Sequence, residues 1–421
     1  MPIVVKKRLK ANIFRLPVEK IRMGYKSDEY FNRTKYIFEQ DNHHRSVTMQ
    51  SFQKVSGAIV CGVDQALAIM AAGTGYFSNP TEASSLFKSL LESEQREYDL
   101  RWAKPSTSQF KKLENYTYLN AVRYRMNELW VNCFGDLKIE ALYDGEEVGS
   151  REPVMLIRGD LSTFVHLETV LLGALTDGTM VATNTRDVVE AANGKPVLMF
   201  GARHQAAESQ AGSGYAAYIG GAKGVSTDEQ GEYWGSKGVG TIPRALIAGY
   251  DGDTVKATQK FDKYIDPSVV RVSLVDFHND SVKTSLEVAR ALGDRLGGVR
   301  LDTSENMIDI CLKDDYENGL IAEHDARGVN PELVLRVRRA LDDEGFSHVG
   351  IFVSGGFNPD KIRRFEEMQL PVVGYGVGSA LFDRRGGKFE YTSDVVEPVA
   401  KAGRGLWRGP KLHQVNSSEI L

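Results

Sequence analysis

Cysteine is scarce in this chain: Cys61, Cys133 and Cys311 stand far apart among 421 residues. An odd, dispersed set rules out a disulfide framework and offers no metal-ligand spacing. Long apolar runs are missing too. The longest, Ser56 to Ala72, is broken by Asp64 and Gln65, so it predicts a buried helix rather than a membrane span. The opening Met-Pro-Ile-Val-Val-Lys-Lys-Arg has no apolar core of signal-peptide length, and the expected location is the cytoplasm. Basic residues are not in excess, at 52 Lys and Arg against 56 Asp and Glu. No nucleic-acid surface is indicated. Patches such as Lys6-Lys7-Arg8 and Arg363-Arg364 read as solvated faces, so neither a membrane nor a nucleic acid is an expected partner.

What the chain does contain is a run of short apolar segments that stop abruptly at glycines or a carboxylate. Gly298 to Ser304, Val349 to Ile362 and Pro371 to Ser379 each read as a buried strand followed by a loop, with helix-sized segments between them. Alternation of that kind builds parallel sheets or barrels, which place ligands at the C-terminal ends of the strands. Glycines cluster there. Gly355 and Gly356 leave backbone N–H groups uncovered, Asn358 suits a helix cap and Pro359 a first turn, which together make an anion site. Gly376-Val377-Gly378 repeats the arrangement one unit later. A single Gly-Gly reads first as a tight turn; two in successive units, with Arg300 and Asp302 at a neighbouring strand end, favour phosphate binding.

Taken in order, residues 1–160 predict an α+β domain. Val18 to Gln40 interleaves Tyr25, Tyr30, Phe31, Tyr36 and Phe38 with charge, as either an amphipathic helix or an arm reaching a ligand or neighbouring subunit. Ser56 to Ala72, Glu82 to Leu100 and Ser106 to Trp130 predict helices. Leu137 to Tyr143 and Pro153 to Arg158 flank Asp144-Gly145 as a hairpin. Residues 161–384 predict an α/β barrel, irregular and TIM-like. His166 to Asn193 reads as a helix broken near Asp177-Gly178. Candidate strands follow at Pro196 to Phe200, Ala217 to Ile219, near Val239, Val269 to Val275, Gly298 to Leu301, Val349 to Val353 and Val372 to Tyr375. Residues 385–421 are expected to return over the surface, loosely ordered from Gly403.

Alternation sends Arg300 and Asp302 to one side of their strand. There they suit either a ribose diol and phosphate or a structural ion pair. Asp276 ends another strand. Phe200, three residues before Arg203, can stack on a planar anion while the arginine holds its carboxylate.

These segments, Phe200-Gly-Ala-Arg-His, Tyr218-Ile-Gly-Gly-Ala-Lys-Gly-Val-Ser, Gly240-Thr-Ile-Pro, Val275-Asp, Val299-Arg-Leu-Asp, Val353-Ser-Gly-Gly-Phe and Tyr375-Gly-Val-Gly, resemble nicotinate phosphoribosyltransferases in order and approximate spacing. The match is strongest over His166 to Phe382, and weaker at Asp28 to Tyr30 with Thr34. The resemblance implies an irregular α/β barrel beside an α+β domain, with nicotinate and phosphoribosyl pyrophosphate as substrates. Nicotinate mononucleotide and pyrophosphate are the products, Mg2+ accompanies the diphosphate, and ATP hydrolysis is often coupled. It also implies a homodimer or higher oligomer with shared active sites. Phe200 and Arg203 would hold nicotinate, and Tyr30 of a second copy would cover it. Asp276, Arg300 and Asp302 would meet the ribose and diphosphate, and Gly355, Gly356, Gly376 and Gly378 the 5′-phosphate.

Departures from the family pattern refine this. Nicotinamide-using relatives carry an aspartate in the segment corresponding to Gly220 to Lys223; Ala222 and Lys223 stand here, which favours the acid over the amide. ATP-coupled members phosphorylate a histidine in a Gly-Thr-x-x-His setting. Arg244 occupies that position, cannot accept a phosphoryl group, and argues for turnover without stoichiometric ATP hydrolysis. His204 is a poor substitute, and the C-terminal zinc-binding cysteines of some relatives are missing. Competing readings are a nicotinamide-using enzyme, a catalytically silent nucleotide-binding barrel, and an aldolase-like barrel, the last disfavoured because no lysine marks a strand end.

Overall fold

Short β-branched runs followed by capped helices fold as the alternation requires. The computed structural model describes residues 2–102, 109–400, 402, 405–406 and 412–421. Six parallel strands, β1 (Val197–Met199), β2 (Gly224–Val225), β3 (Val272–Leu274), β4 (Gly298–Leu301), β5 (Gly350–Val353) and β6 (Gly374–Val377), pair in the order β3-β4-β5-β6-β1-β2. Helices Ser281–Leu292, Pro331–Asp343 and Pro359–Glu367 separate β3 from β4, β4 from β5 and β5 from β6. Asn330 and Asn358 cap the latter two: each side chain accepts from the amide three residues on, at 2.9 Å, with proline in the first turn. Val299, Leu301, Ile351, Val353 and Tyr375 are fully buried.

The two edge strands are joined by an irregular segment. Val225 bridges Gly238 in parallel and accepts from the Val239 amide at 2.7 Å, while the Ile242 amide donates to the Val272 carbonyl at 3.4 Å. The α/β reading therefore holds, and Val239 belongs to this closing segment rather than to a regular strand.

This unit comprises Met180–Arg385 and the start of the chain, whose Ile3 amide donates to the Ile219 carbonyl. Val4–Thr179 and Gly386–Leu421 form a second compact unit. Its antiparallel sheet runs Thr392–Glu397, Ser46–Phe52, Pro153–Asp160, Lys138–Ala141, His413–Gln414, with the expected hairpin in register Lys138↔Arg158. Helix Val63–Gly73 buries Leu67 and Met70 in a core with Met49, Ile139, Ile157 and Phe164.

Several expectations are corrected. Ala217 to Ile219 is not a strand but the end of helix Gln210–Ile219, whose Ala216-Ala217 pair favours helix, while Gly214 packs against the Gln230 backbone. Asp177-Gly178 does not interrupt helix Glu168–Ala191. Gly178 serves close approach instead: a Cβ there would lie 2.6 Å from the Cys61 carbonyl oxygen. Within Ser56 to Ala72 the helix begins only at Val63, after strand Ala58–Ile59 and Gly62 with φ +95°. The C-terminal residues are tied down where described, since His413–Gln414 pairs with Lys138–Ala141 and Ile420 is fully buried. Residues 403–404 and 407–411 of that stretch, and the start of the helix expected from Ser106, lie outside the described residues. Among the described residues no helix is long and apolar enough to cross a membrane.

Candidate active site

Because all six strands run the same way, their C-terminal ends share a rim, and polar side chains of successive strands converge on it. Arg300 is the third residue of β4, and Asp302 follows its last. Arg300 Nη1 lies 3.4 Å from Asp302 Oδ2. Ser354, next after β5, joins them: its hydroxyl donates to Asp302 Oδ1 at 2.8 Å and accepts from Arg300 Nη1 at 3.0 Å. Arg300 Nε donates to Thr241 Oγ1 at 2.9 Å. Burial lowers the Arg300 pKa, opposed by Asp302 and Asp276.

Arg244 bridges the two strand-end carboxylates. Its Nη1 donates to Asp302 Oδ2 at 2.9 Å, and its Nη2 donates to the Asp302 carbonyl at 2.9 Å and to Asp276 Oδ2. Asp276 Oδ1 is buried with no hydrogen-bond partner. Burial lifts the Asp276 carboxyl above its usual range, with Arg244 pulling the other way. Burial likewise acts against the Arg244 charge, but Asp276 and Asp302 outweigh it and hold that pKa above its ordinary value.

The aromatic residue of the site follows β1. The Phe200 amide donates to the Val377 carbonyl at 2.7 Å, and the Arg300 guanidinium carbon lies 5.8 Å from the Phe200 ring centroid. The four expected phosphate glycines divide by physical role. Gly355 and Gly356 adopt φ of +88° and +67°, the left-handed region that glycine enters without strain. Gly376 makes room, since a Cβ there would lie 2.6 Å from Phe200 Cδ2, and Gly378 does so for His204, whose Nε2 would be 2.8 Å away. Lys361, in the first turn after Asn358, places its Nζ 3.4 Å from the Gly355 carbonyl and 4.4 Å from the Phe357 ring centroid. Burial lowers its pKa to about 8, with Glu305 opposing.

The structure thus brings together Phe200, Arg244, Asp276, Arg300 and Asp302 beside the glycine turns. Arg203 is exposed just beyond Phe200, and its charge is felt at Arg300. Lys223 is not brought to this cluster: its amide donates to the carbonyl of Val197, the first residue of β1, at the opposite end of the strands from Phe200. Tyr30 belongs to the second unit, where it is exposed with its hydroxyl 3.5 Å from Asp28 Oδ2. Ser354, Thr241 and Lys361 were not singled out from sequence. Each had a signal, as a hydroxyl flanking a strand-end glycine or a cation one turn into the helix behind Gly355-Gly356.

Residues 181–381, which carry this whole constellation, match the model of the quinolinate phosphoribosyl transferase C-terminal domain. A nicotinate phosphoribosyltransferase of Mycobacterium tuberculosis is 25% identical over 241 residues, 56% of this chain and 46% of that protein. The chain spans about half the length of the curated relatives it matches. The crystal structure of nicotinate-nucleotide pyrophosphorylase from Pyrococcus furiosus superposes with a TM-score of 0.67 at 27% identity, covering 96% of this chain and 85% of that one. Human nicotinic acid phosphoribosyltransferase shares the fold, with a TM-score of 0.57 at 15% identity over 90% of this chain and 76% of that one. The strand-end residues, the strand order and these relatives together make the chain similar to the nicotinate and quinolinate phosphoribosyltransferases.

Proposed function

We propose that this protein transfers the phosphoribosyl group of phosphoribosyl pyrophosphate to the ring nitrogen of nicotinate, forming nicotinate mononucleotide and pyrophosphate for NAD synthesis. The observation that carries this reading is the convergence of Phe200, Arg300 and the Asp276/Asp302 pair on one rim beside the Gly355-Gly356 turn. An aromatic face, paired carboxylates and bare backbone amides are what a flat ring, a ribose and a phosphate each need.

Departure of pyrophosphate leaves positive charge on the ribose, and the carboxylates of Asp276 and Asp302 stabilise it as it develops. The pyridine nitrogen is already nucleophilic, so Phe200 and Arg203 act by positioning it, and no general base is required. The 5′-phosphate is received by the Gly355-Gly356 turn and the helix behind it, with Lys361 adjacent. Lys223, at the other end of the strands, has no part in holding the ring. Tyr30 from a second copy is assigned to cover nicotinate.

Magnesium fits the donor set: Asp276 and Asp302 are two strand-end carboxylates, and Asp276 keeps a buried oxygen without a partner. Such ions are commonly held by one or two carboxylates plus substrate phosphates. When bound, the ion supplies positive charge to the departing diphosphate. With Arg244 in place of a phosphorylatable histidine, ATP is not consumed.

The test is turnover of the purified chain with phosphoribosyl pyrophosphate and, in parallel, nicotinate, nicotinamide and quinolinate. The nicotinate product should dominate. Faster reaction of either alternative substrate, or binding of phosphoribosyl pyrophosphate without turnover of any, overturns the assignment.

A further inference from the structure

The Arg244 guanidinium lies between Asp276 and Asp302, the two carboxylates that would hold a divalent cation. It reaches both carboxylates through its two terminal nitrogens, with a third bond to the Asp302 carbonyl. The three side chains differ in access. Asp276 is 3% exposed and Asp302 18%, whereas Arg244 is 49% exposed and can leave while the acids stay. Arg300 and Ser354 fix Asp302 independently of Arg244, so the acid keeps its place when Arg244 departs. Asp276 is different: Arg244 is its side-chain ion-pair partner, and its other oxygen is buried and unbonded. A buried carboxylate stripped of its counter-ion is strongly unfavourable, so Arg244 departs only when another cation arrives.

We infer that Arg244 is an internal counter-ion that competes with Mg2+ for Asp276 and Asp302, and that on displacement its guanidinium fork turns to the diphosphate. This rests on the reading that the rim receives a metal–diphosphate. Arginine suits both positions, because its planar fork matches paired carboxylates and phosphate oxygens alike. Free Mg2+ then binds poorly to the resting protein. Metal and diphosphate enter together, since the diphosphate gives the displaced guanidinium a new anion.

Calorimetric titration of the full chain with Mg2+ alone, and separately with pyrophosphate at saturating Mg2+, tests this in the wild type, Arg244→Gln and Arg244→Lys. Arg244→Gln should bind Mg2+ at least tenfold more tightly than the wild type and pyrophosphate at least tenfold more weakly. General damage would weaken both, so opposite shifts are the signature. Arg244→Lys keeps the charge without the fork and should fall between, which preserves the test if Arg244→Gln does not fold. Equal Mg2+ affinities in wild type and variants, or loss of both ligands together, overturn the proposal. A wild type that makes no nucleotide while showing the opposite shifts refutes the enzymatic reading and leaves the counter-ion role standing.

Discussion

Gly376 and Phe200 are in direct contact, and the absence of a side chain on one sets the position of the other. A Cβ on Gly376 would stand 2.6 Å from Phe200 Cδ2 and 3.2 Å from Ser354 Cβ. Gly376→Ala should therefore push the Phe200 ring out of its seat, costing about 1–3 kcal/mol of stability through overpacking. It should also raise KM for nicotinate more than KM for phosphoribosyl pyrophosphate. Gly173→Ala is the control, because a Cβ there meets nothing within 4 Å. Thermal denaturation and steady-state kinetics of the two variants check the difference; equal effects on both KM values would remove Phe200 from the ring site.

This pairing also shows what could and could not be read from the residues. The strand–helix alternation and the strand-end positions of Asp276, Arg300 and Asp302 were legible, because period-2 alternation and abrupt polar stops are local signals. The Gly376–Phe200 contact was not, since it joins two strands whose adjacency only the ring closure establishes. Ala217 to Ile219 misled for a related reason: three apolar residues look the same at the end of a buried helix as in a strand. Lys223 was assigned by motif alignment alone, and the hydrogen bond of its amide to Val197 places it at the far end of the strands. The bridging role of Arg244 could not be seen either, because it unites residues 32 and 58 positions apart.

Removal of Arg203 tests the proposed preference for the acid. Its guanidinium is exposed in the free protein, so its contribution belongs at the lower end of the range for charge pairs at a binding site. Arg203→Ala should cost about 2 kcal/mol in kcat/KM for nicotinate, roughly 30-fold. Any reaction with nicotinamide should change by less than threefold. Comparable losses on both substrates would show that Arg203 does not contact the carboxylate.

Arg244 makes energy coupling a measurable question. An assay that follows nicotinate mononucleotide and ADP together, in excess ATP, should show nucleotide forming with no matching ADP. One ADP per nucleotide would contradict it and point to another phosphoryl acceptor, with His204 the first residue to replace.

Lys361 gives the phosphate turn a pH dependence. Burial brings its pKa to about 8, so the ammonium is charged below that value and neutral above it. Sulfate, which does not titrate in this range, should bind the protein progressively more weakly as pH rises through about 8. Lys361→Met should bind it weakly throughout, with a flat profile. A wild-type curve that is level from pH 7 to pH 9 would place the ammonium outside the anion site.

In the second unit, Glu168 opens the helix Glu168–Ala191, where burial and the like charges of Asp394 and Asp28 raise its pKa from 4.5 to about 7. The unfolded chain loses this proton first. Between about pH 4.5 and about pH 7 the folded state therefore binds more protons than the unfolded one, and stability falls as pH rises; above about pH 7 the loss is complete. Glu168→Gln keeps the shape of the side chain and removes the titration. Its Tm should match the wild type near pH 4.5 and exceed it at pH 8, with the gap opening across the intervening range. Asp28 is the neighbour that gains, because its carboxylate, which accepts from Thr169 Oγ1 at 2.9 Å, then faces a neutral amide. A variant no more stable than the wild type at pH 8 would mean that the favourable field of the helix N-terminus already offsets the repulsion.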